Sequence, residues 1–267
     1  MRFFLAALKV HMKTMFHYRG TFLISLLIDP VYFFINFALV SGIYKYNKAN
    51  SIAGYDQTQM IWYFAAVSFT WYCIYNSADT NMSAKVLSGA LTSDLQKPMS
   101  VFQNELANAM AIRLLSVVFN FIPSIFIYSL LSFPVFITWQ SMLKFMVVVS
   151  FAFVIFFEIN YLIGLASFII KSNYSIQTVK FFVINLTAGA FIPLDFFPSW
   201  FLNIIKFFPF QYLFYWPIQF FLNRASCEGL YSFVKIVFIQ LFWCLFLYGL
   251  CRFFWSKSLK RFCAVGG

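Results

Sequence analysis

The sequence predicts an all-α integral membrane protein with six transmembrane helices. Of its 267 residues, 62% are hydrophobic and only 10% are charged, so the chain cannot cover itself with a polar exterior in water. Apolar stretches of about 20 residues, the length that crosses a hydrocarbon core of ~30 Å, recur along the chain. The short segments between them predict a single transmembrane domain over residues 1–267 and no sizeable soluble domain.

The predicted spans also indicate how the chain is oriented. They lie at residues 22–43, 60–78, 108–132, 144–170, 176–194 and 232–255. An even number of spans places both termini on one side of the membrane. Lys and Arg residues concentrate in cytoplasmic loops, and a cytoplasmic N-terminus leaves only six of the 19 outside. The six are Lys45, Lys48, Lys144, Lys206, Arg224 and Lys235. The other thirteen are Arg2, Lys9, Lys13, Arg19, Lys85, Lys97, Arg113, Lys171, Lys180, Arg252, Lys257, Lys260 and Arg261.

The net charge of +11 comes from basic residues at the ends of apolar segments. We interpret this pattern as a topology signal that also attracts anionic lipid, and we expect no nucleic-acid partner.

The N-terminal segment, residues 1–20, is predicted to form a helix in the cytoplasmic membrane interface. Lys9, Lys13 and His17 recur every four residues and would face lipid phosphates. The alternative is an ordinary basic flank of the first span. The opposite side of the helix is apolar and consists of Leu5, Leu8, Met12 and Met15.

The inner segment at residues 79–107 is the most polar part of the chain. Leu87, Leu91 and Leu95 are spaced four residues apart, which predicts one apolar stripe on a short amphipathic helix. Pro98 would end this helix because proline cannot continue the backbone hydrogen bonding. The ionisable residues of the segment are Asp79, Lys85, Asp94, Lys97 and Glu105.

The outer segment at residues 191–223 is apolar but contains Pro193, Pro198, Pro209 and Pro217. Prolines at this spacing forbid one straight span, and they favour short re-entrant helices that dip into the outer leaflet and return. An aromatic-rich surface loop anchored at the interface is the alternative.

Two ionisable residues are predicted at membrane depth, where an unpaired charge costs at least ~2.5 kcal/mol. They are Asp29 in the first span and Glu158 in the fourth. Either could line a translocation path or a subunit interface, and either could instead pair internally, for example with Arg113.

Two asparagines join this list of candidate residues for the translocation path or subunit interface. Asn160 and Asn185 carry amides that typically bond between membrane helices. Gly164 and Gly189 would permit close packing of neighbouring elements.

We predict no catalytic residues, no metal site and no cofactor in this chain. It has no G-x-x-x-x-G-K-[ST] phosphate-binding loop, and His11 and His17 are its only histidines. The cysteines show no CxxC spacing and are interpreted as reduced packing residues. They are Cys73, Cys227, Cys244, Cys251 and Cys263.

After the basic N-terminal helix, four segments of the chain are similar to the sequence pattern of a known protein family. They are IAGYDQTQMIWYF (52–64), SGALTSDLQKP (88–98), AGAFIPLDFFPSWFLNIIKFFPFQYLFYWP (188–217) and a terminal AVGG (264–267). In these segments the chain resembles the ABC-2-type transporter permeases over nearly its whole length. The most specific positions are Gly89, Leu91, Leu95 and Pro98 inside, and Gly189, Ile192, Pro193, Phe196, Phe197 and Pro198 outside.

The resemblance implies a permease subunit in a prokaryotic inner membrane. It implies a dimer of separate ATPase subunits that hold ATP and Mg²⁺, and a second permease, with a heterodimer favoured over a homodimer. In the family, the inner loop forms a coupling helix in a groove of the ATPase. Here residues 84–97 would fill that role, with Leu87, Leu91 and Leu95 as apolar anchors and Lys85, Asp94 and Lys97 at the rim. The alternative is a helix that touches only lipid headgroups.

The leading hypothesis is an exporter subunit for an amphiphilic or hydrophobic cargo such as a drug, lipid, peptide or glycolipid. Export follows from the resemblance alone. The alternatives are an ion-coupled carrier that uses Glu158 as a proton or cation site, and a membrane scaffold or insertase that works without ATP.

Overall fold

A computed structural model describes residues 2–17, 19–133, 136–170, 174–224, 227 and 229–260. The described chain is helical apart from one small antiparallel hairpin, which confirms the all-α prediction. The helices are α1 Arg2–His17, α2 Arg19–Asn47, α3 Gln57–Ile74, α4 Ala78–Leu87, α5 Leu91–Leu95, α6 Val101–Ser116, α7 Ile122–Leu131, α8 Trp139–Leu165, α9 Tyr174–Thr187, α10 Ser199–Ile205, α11 Tyr215–Phe221 and α12 Leu230–Leu259.

The hairpin lies in the loop between α2 and α3. Its strands are β1 Ser51–Ile52 and β2 Tyr55–Asp56, paired as Ser51 with Asp56 and Ile52 with Tyr55. Lys171, Arg261, Cys263 and the terminal AVGG, on which parts of the sequence analysis rest, lie outside the described residues.

Three helices of the described chain are long and apolar enough to cross a membrane: Val101–Leu131, Trp139–Phe168 and Leu230–Leu259. The first joins α6 to α7 through a π-helical turn at Val117–Phe121. Pro123 follows this turn, and it lacks the N–H needed for regular α-helical bonding there. The other predicted spans coincide with α2, α3 and α9, and the count of six stays a prediction.

Helix α8 lies at the centre of the fold and packs against α12, α4, α11 and α3. Aromatic side chains fill much of the core around it. The ring of Phe221 in α11 packs edge-on against Phe145 of α8 at 5.2 Å and Phe69 of α3 at 5.7 Å between ring centres. Helix α11 is thus part of the core, although it belongs to the proline-interrupted outer segment.

Helix α1 forms as predicted and packs along α6. Leu8, Met12 and Met15 are half-buried and Lys9 and Lys13 are exposed, in agreement with the amphipathic pattern, whereas Leu5 is 53% exposed. Its position in the membrane interface stays a prediction.

The structure of the inner segment contradicts one prediction from the sequence. The apolar stripe through Leu87, Leu91 and Leu95 is wrong, because α4 ends at Leu87 and α5 begins at Leu91. Gly89 lies between them with φ of +76°, a left-handed conformation that ends a helix and favours glycine. The turn leaves Leu91 fully buried while Leu87 and Leu95 stay 46% and 41% exposed.

The outer segment consists of short helices, as its prolines predict. Pro193, Pro198 and Pro209 each immediately precede a helical element, namely a 3₁₀ turn at Leu194–Phe196, α10, and a 3₁₀ turn at Phe210–Tyr212. Proline is suited to a helix start because its missing N–H would have no partner there. The breaks at Pro193, Pro198 and Pro209 are confirmed, whereas Pro217 lies in the first turn of α11. The depth of the segment in the membrane stays a prediction.

Candidate functional site

An ionic cluster holds the inner loop together. Lys85 of α4 donates to Asp94 of α5 at 2.5 Å between Nζ and Oδ2, and to Glu105 of α6. Lys97 donates to the other oxygen of Asp94 at 2.5 Å. Asp94 and Glu105 are only 5% and 2% exposed, so Lys85 and Lys97 together balance two buried carboxylates, and Lys85 joins three helices.

The charged groups in this cluster shift the pKa values of Lys85 and Asp94. Burial alone lowers the pKa of Lys85, but Glu105 and Asp94 outweigh burial and raise it above its ordinary value. Burial likewise raises the pKa of Asp94, and hydrogen bonds from Lys85 and Lys97 bring it below the usual range. Lys85 and Asp94 are therefore both charged near neutral pH.

Apolar packing fastens the same loop to the membrane helices. Leu91 is buried in a cluster with Met82 and Val86 of α4, Val101 of α6 and Tyr161 of α8. Leu87 and Leu95 are the large apolar side chains of α4 and α5 that remain exposed. The loop is thus fixed to its own chain and exposes two large apolar side chains.

Helices α4 and α8 meet at Gly164. A Cβ atom at this position would lie 2.7 Å from the Cβ of Met82 and 3.2 Å from the Cα of Asp79. The close approach expected for Gly164 is thereby confirmed, and it requires that residue 164 have no side chain.

A second polar network lies where α3 is followed by α4. Asn160 of α8 donates from Nδ2 to the backbone oxygen and to Oδ1 of Asn76, both at 3.0 Å. Lys180 of α9 donates to Asn160 Oδ1 at 2.8 Å and to Asp79 Oδ2 of α4 at 2.5 Å. A cavity of about 170 Å³ adjoins this network. Asn160 therefore takes part in internal pairing that joins α4, α8 and α9.

The four residues predicted for a translocation path or subunit interface are not brought together. Asp29 of α2 accepts a hydrogen bond of 3.5 Å from Ser124, and its backbone oxygen accepts one of 2.9 Å from Tyr128. Asn185 donates within its own helix to the backbone oxygen of Phe181 at 2.8 Å. Asp29 therefore joins α2 to α7.

Glu158 lies on the side of α8 that contacts α12. It is 2% exposed, and within the described chain its Oε2 atom has no hydrogen-bond partner. The Cys251 thiol of α12 lies 3.6 Å from the backbone oxygen of Glu158. Arg113, considered above as a partner for the membrane-depth acids, instead donates to the backbone oxygens of Trp71 and Tyr72 at 3.4 and 3.2 Å.

A polar network joins the β1–β2 hairpin to the outer segment, and the sequence did not predict it. Asp195 accepts hydrogen bonds from Tyr55 at 2.5 Å and from Tyr215 at 2.9 Å. Gln219 donates to the Tyr55 hydroxyl at 2.7 Å, and the Arg224 guanidinium lies 3.9 Å from the centre of the Tyr55 ring. These contacts fasten the hairpin to the proline-rich segment. The available signal was Asp195, the only acidic residue among positions 191–223.

A left-handed turn at Gly189 connects α9 to this outer network. Its φ is +83°, and its backbone oxygen accepts a hydrogen bond of 2.7 Å from the Tyr63 hydroxyl. The backbone oxygen of Ala188 accepts one of 3.0 Å from the Tyr215 amide. The outer end of α9 is thus attached to α3 and α11.

Replacing Tyr63 by Phe should destabilise this turn. The substitution removes the donor to the buried Gly189 oxygen, and an unpartnered buried acceptor costs about 1–3 kcal/mol. We expect a lower unfolding temperature in detergent, measured by fluorescence-detected size exclusion after heating. Tyr46→Phe is the matched control because Tyr46 is 88% exposed. Equal unfolding temperatures for the two variants would contradict the assignment.

An apolar groove of about 480 Å³ lies between α2, α3 and the start of the outer segment. Phe191, Ile192 and Phe196 line one wall, and Tyr32 and Asn36 of α2 contribute polar atoms to the other. The groove suits a ligand that is mainly hydrocarbon with a small polar part.

Comparisons with known proteins place the chain in a family. Searches of the curated proteins and of the solved structures gave no match. A family model described as "ABC-2 family transporter protein" matches residues 30–266 and so covers α3 to α12 and most of α2. It includes the inner loop, the network around Lys180 and the proline-rich outer segment. The chain therefore belongs to the ABC-2 family of transporter proteins, whose members are membrane transport subunits that work with an ATPase partner.

Proposed function

We propose that this chain is the permease subunit of an ATP-driven exporter in a prokaryotic inner membrane, with both termini in the cytoplasm. Two ATPase subunits would hold ATP and Mg²⁺, and a second permease would complete the assembly as a heterodimer. The cargo would be an amphiphilic or hydrophobic molecule. Family membership supports the transport role and the need for an ATPase partner.

The observation that carries this proposal is the construction of the inner loop. Leu87 and Leu95 expose apolar surface on a segment that is otherwise the most polar part of the chain. An apolar side chain on a short helix, with charges around it, is the pattern of helix-in-groove recognition. Residues 84–97 would therefore dock in a groove of the ATPase, with Lys97 at the rim.

Internal attachment of the loop supports the transmission of force. The Lys85 cluster ties α4 and α5 to α6, and Gly164 lets α4 pack directly on α8. Packed elements of this kind move as units and do not deform continuously. ATP-driven motion of the ATPases would then displace the inner ends of α6 and α8.

The cargo class is supported by the groove near the outer end of α2. Its walls are mostly aliphatic and aromatic, and Asn36 offers an amide beside them. Binding there would favour a molecule with a hydrocarbon body and a polar group.

The test of this function is co-purification of the ATPase with a Leu87→Asp, Leu95→Asp variant in mild detergent. Charges on both exposed leucines should abolish ATPase retention, because burying an uncompensated carboxylate is costly. Membrane insertion and binding of the partner permease should persist, since neither side chain is part of the core. The matched control, Leu87→Met with Leu95→Met, keeps the surface apolar and should retain the ATPase.

The outcomes separate the candidate functions. Retention of the ATPase by the doubly charged variant would reject the coupling role of this loop. If wild type binds no ATPase in any nucleotide state, the permease proposal fails. Transport by the chain alone that depends on a proton gradient and is lost in Glu158→Gln would then favour an ion-coupled carrier, to which the unpartnered oxygen of Glu158 lends support. Membrane scaffolding or insertion that requires neither ATP nor a proton gradient would favour the scaffold or insertase alternative.

A further inference from the structure

Helix α9 buries little of its own surface within the described chain. Only Ile184 and Asn185 of its 14 residues are buried. Its outer end is attached through the carbonyls of Ala188 and Gly189, as described above. Motion of α9 therefore depends strongly on what holds its inner end.

The N-terminal half of α9, which ends at Lys180, is held by an ion pair to the inner loop. Lys180 Nζ lies 2.5 Å from Asp79 Oδ2, and the two side chains are 14% and 5% exposed. Asp79 is in the first turn of α4, the helix that carries Lys85 and Leu87. Little water reaches this pair, so it is screened much less than a surface ion pair.

A buried amide fixes the geometry of the pair. Asn160 is fully buried, accepts from Lys180 through Oδ1 and donates to Asn76 through Nδ2. The remaining oxygen of Asp79 accepts from the Thr80 amide at 2.8 Å. Both charged groups are thereby oriented toward each other by α8 and by the start of α4.

We propose that Asp79 and Lys180 are positioning residues that link the inner loop to α9, with Asn160 as their support. The inference rests on the proposed function, because it assigns the route by which a displacement of α4 by the ATPase reaches α9. Displacement of the inner end of α9 would then act on the outer turn at Gly189 and on the Asp195 network beyond it.

Nearby contacts favour a link over simple packing. Thr80 and Gln177 face each other across the same gap, with 3.4 Å between Oγ1 and Oε1. The Lys180 ammonium also lies 5.8 Å from the centre of the Phe156 ring of α8. All of the polar contacts named here between α4 and α9 therefore lie within one turn of each helix.

The first experiment measures nucleotide-driven motion and needs no knowledge of the cargo. Spin labels are placed at exposed positions of α4, α9 and α12, namely Ala84, Val179 and Leu245, in the full complex with the native cysteines replaced. Because Ala84 belongs to the proposed docking segment, only labelled complexes that retain the ATPase are measured. Distances from Leu245 to Ala84 and to Val179 are compared without nucleotide and after trapping with MgATP and vanadate. In wild type we expect both distances to change.

The decisive variant is Asp79→Asn with Lys180→Met, which removes both charges and leaves none unpaired. The Ala84 shift should persist, whereas the ratio of shifted to unshifted Val179 populations should fall by about 2-fold to 30-fold, the range of coupling changes that mutations along such links produce. Lys180→Arg should retain the shift. Lys206→Met is the matched control, since Lys206 lies outside the network and bonds to its neighbour Asn203.

A second measurement distinguishes loss of the link from misfolding of the double variant. Thr80→Cys with Gln177→Cys, joined by a short bifunctional methanethiosulfonate, replaces the ion pair by a covalent link and should restore the Val179 shift. A Val179 shift that is unchanged in the double variant, or that the cross-link fails to restore, overturns the inference. Absence of any Ala84 shift in wild type would instead overturn the proposed function itself.

Discussion

Replacing Lys85 by Met should destabilise the inner loop more than any other single charge removal in it. The substitution leaves Asp94 and Glu105 buried without their shared cation, and loss of one partner from a buried ion pair typically costs about 3–5 kcal/mol. We expect rapid cleavage of residues 88–98 by added protease and loss of the bound ATPase. Limited proteolysis of the purified complex, followed by mass spectrometry, measures the cleavage, and co-purification measures the retained ATPase.

Lys97→Met provides the comparison for this variant. Lys97 contacts the same carboxylate, but its side chain is 48% exposed, so its loss should cost no more than about 1 kcal/mol. Similar protease sensitivity of the two variants would show that burial of the cluster does not determine its strength.

The pH dependence of the wild-type loop gives an independent signature of the cluster. Because the folded-state pKa of Lys85 is raised, its contribution is complete below the unfolded value of about 10.4 and is lost as pH rises through the folded value. Because the pKa of Asp94 is lowered, its contribution is complete above about 3.9 and is lost as pH falls through the folded value. Protection of the loop should therefore be greatest between these limits.

Replacing Gly164 by Ala should separate α4 from α8. The added methyl group would lie 2.7 Å from the Met82 Cβ, which cannot move without the backbone of α4. Overpacking of this kind costs about 1–3 kcal/mol, and here the strain falls on the helix that carries the coupling loop. We expect a lower unfolding temperature together with a reduced nucleotide-driven response of the membrane helices.

Gly249→Ala in α12 is the matched control because its Cβ would meet no atom within 4 Å. Alanine raises helix propensity by about 1 kcal/mol over glycine, so this control should be neutral or slightly more stable. If Gly164→Ala were also neutral, the close approach of α4 to α8 would not be required for stability.

Short sequence patterns predicted those parts of the fold that depend only on residues nearby in the sequence. Prolines at 193, 198 and 209 set the starts of helical elements because their effect on the backbone does not depend on distant residues. The amphipathic α1 followed from the spacing of Lys9 and Lys13. The break at Gly89 was missed because the leucines on either side keep a helical spacing that the left-handed glycine overrides.

Contacts between distant segments could not be predicted. Asp79 and Lys180 are separated by 101 positions, and each was first considered only as a charge near the inner surface. Asn160 was predicted as a polar residue of the fourth span, but its partners Asn76 and Lys180 depend on how α4 and α9 pack against α8. Such pairings are decided by tertiary packing, which one sequence does not encode in any local pattern.

The length of α9 has a consequence for the lipid around the protein. Its 14 residues extend over about 21 Å, whereas a hydrocarbon core measures ~30 Å. A helix of this length would place the turn at residues 188–192 below the level of the headgroups, where the exposed side chains of Phe191 and Ile192 would meet acyl chains. The backbone oxygens of Asn185, Ala188 and Gly189 all accept hydrogen bonds there, as a non-helical backbone in hydrocarbon requires. We therefore expect the bilayer to thin beside α9, and the acyl-chain length of the host membrane would then influence how readily this face of the protein moves.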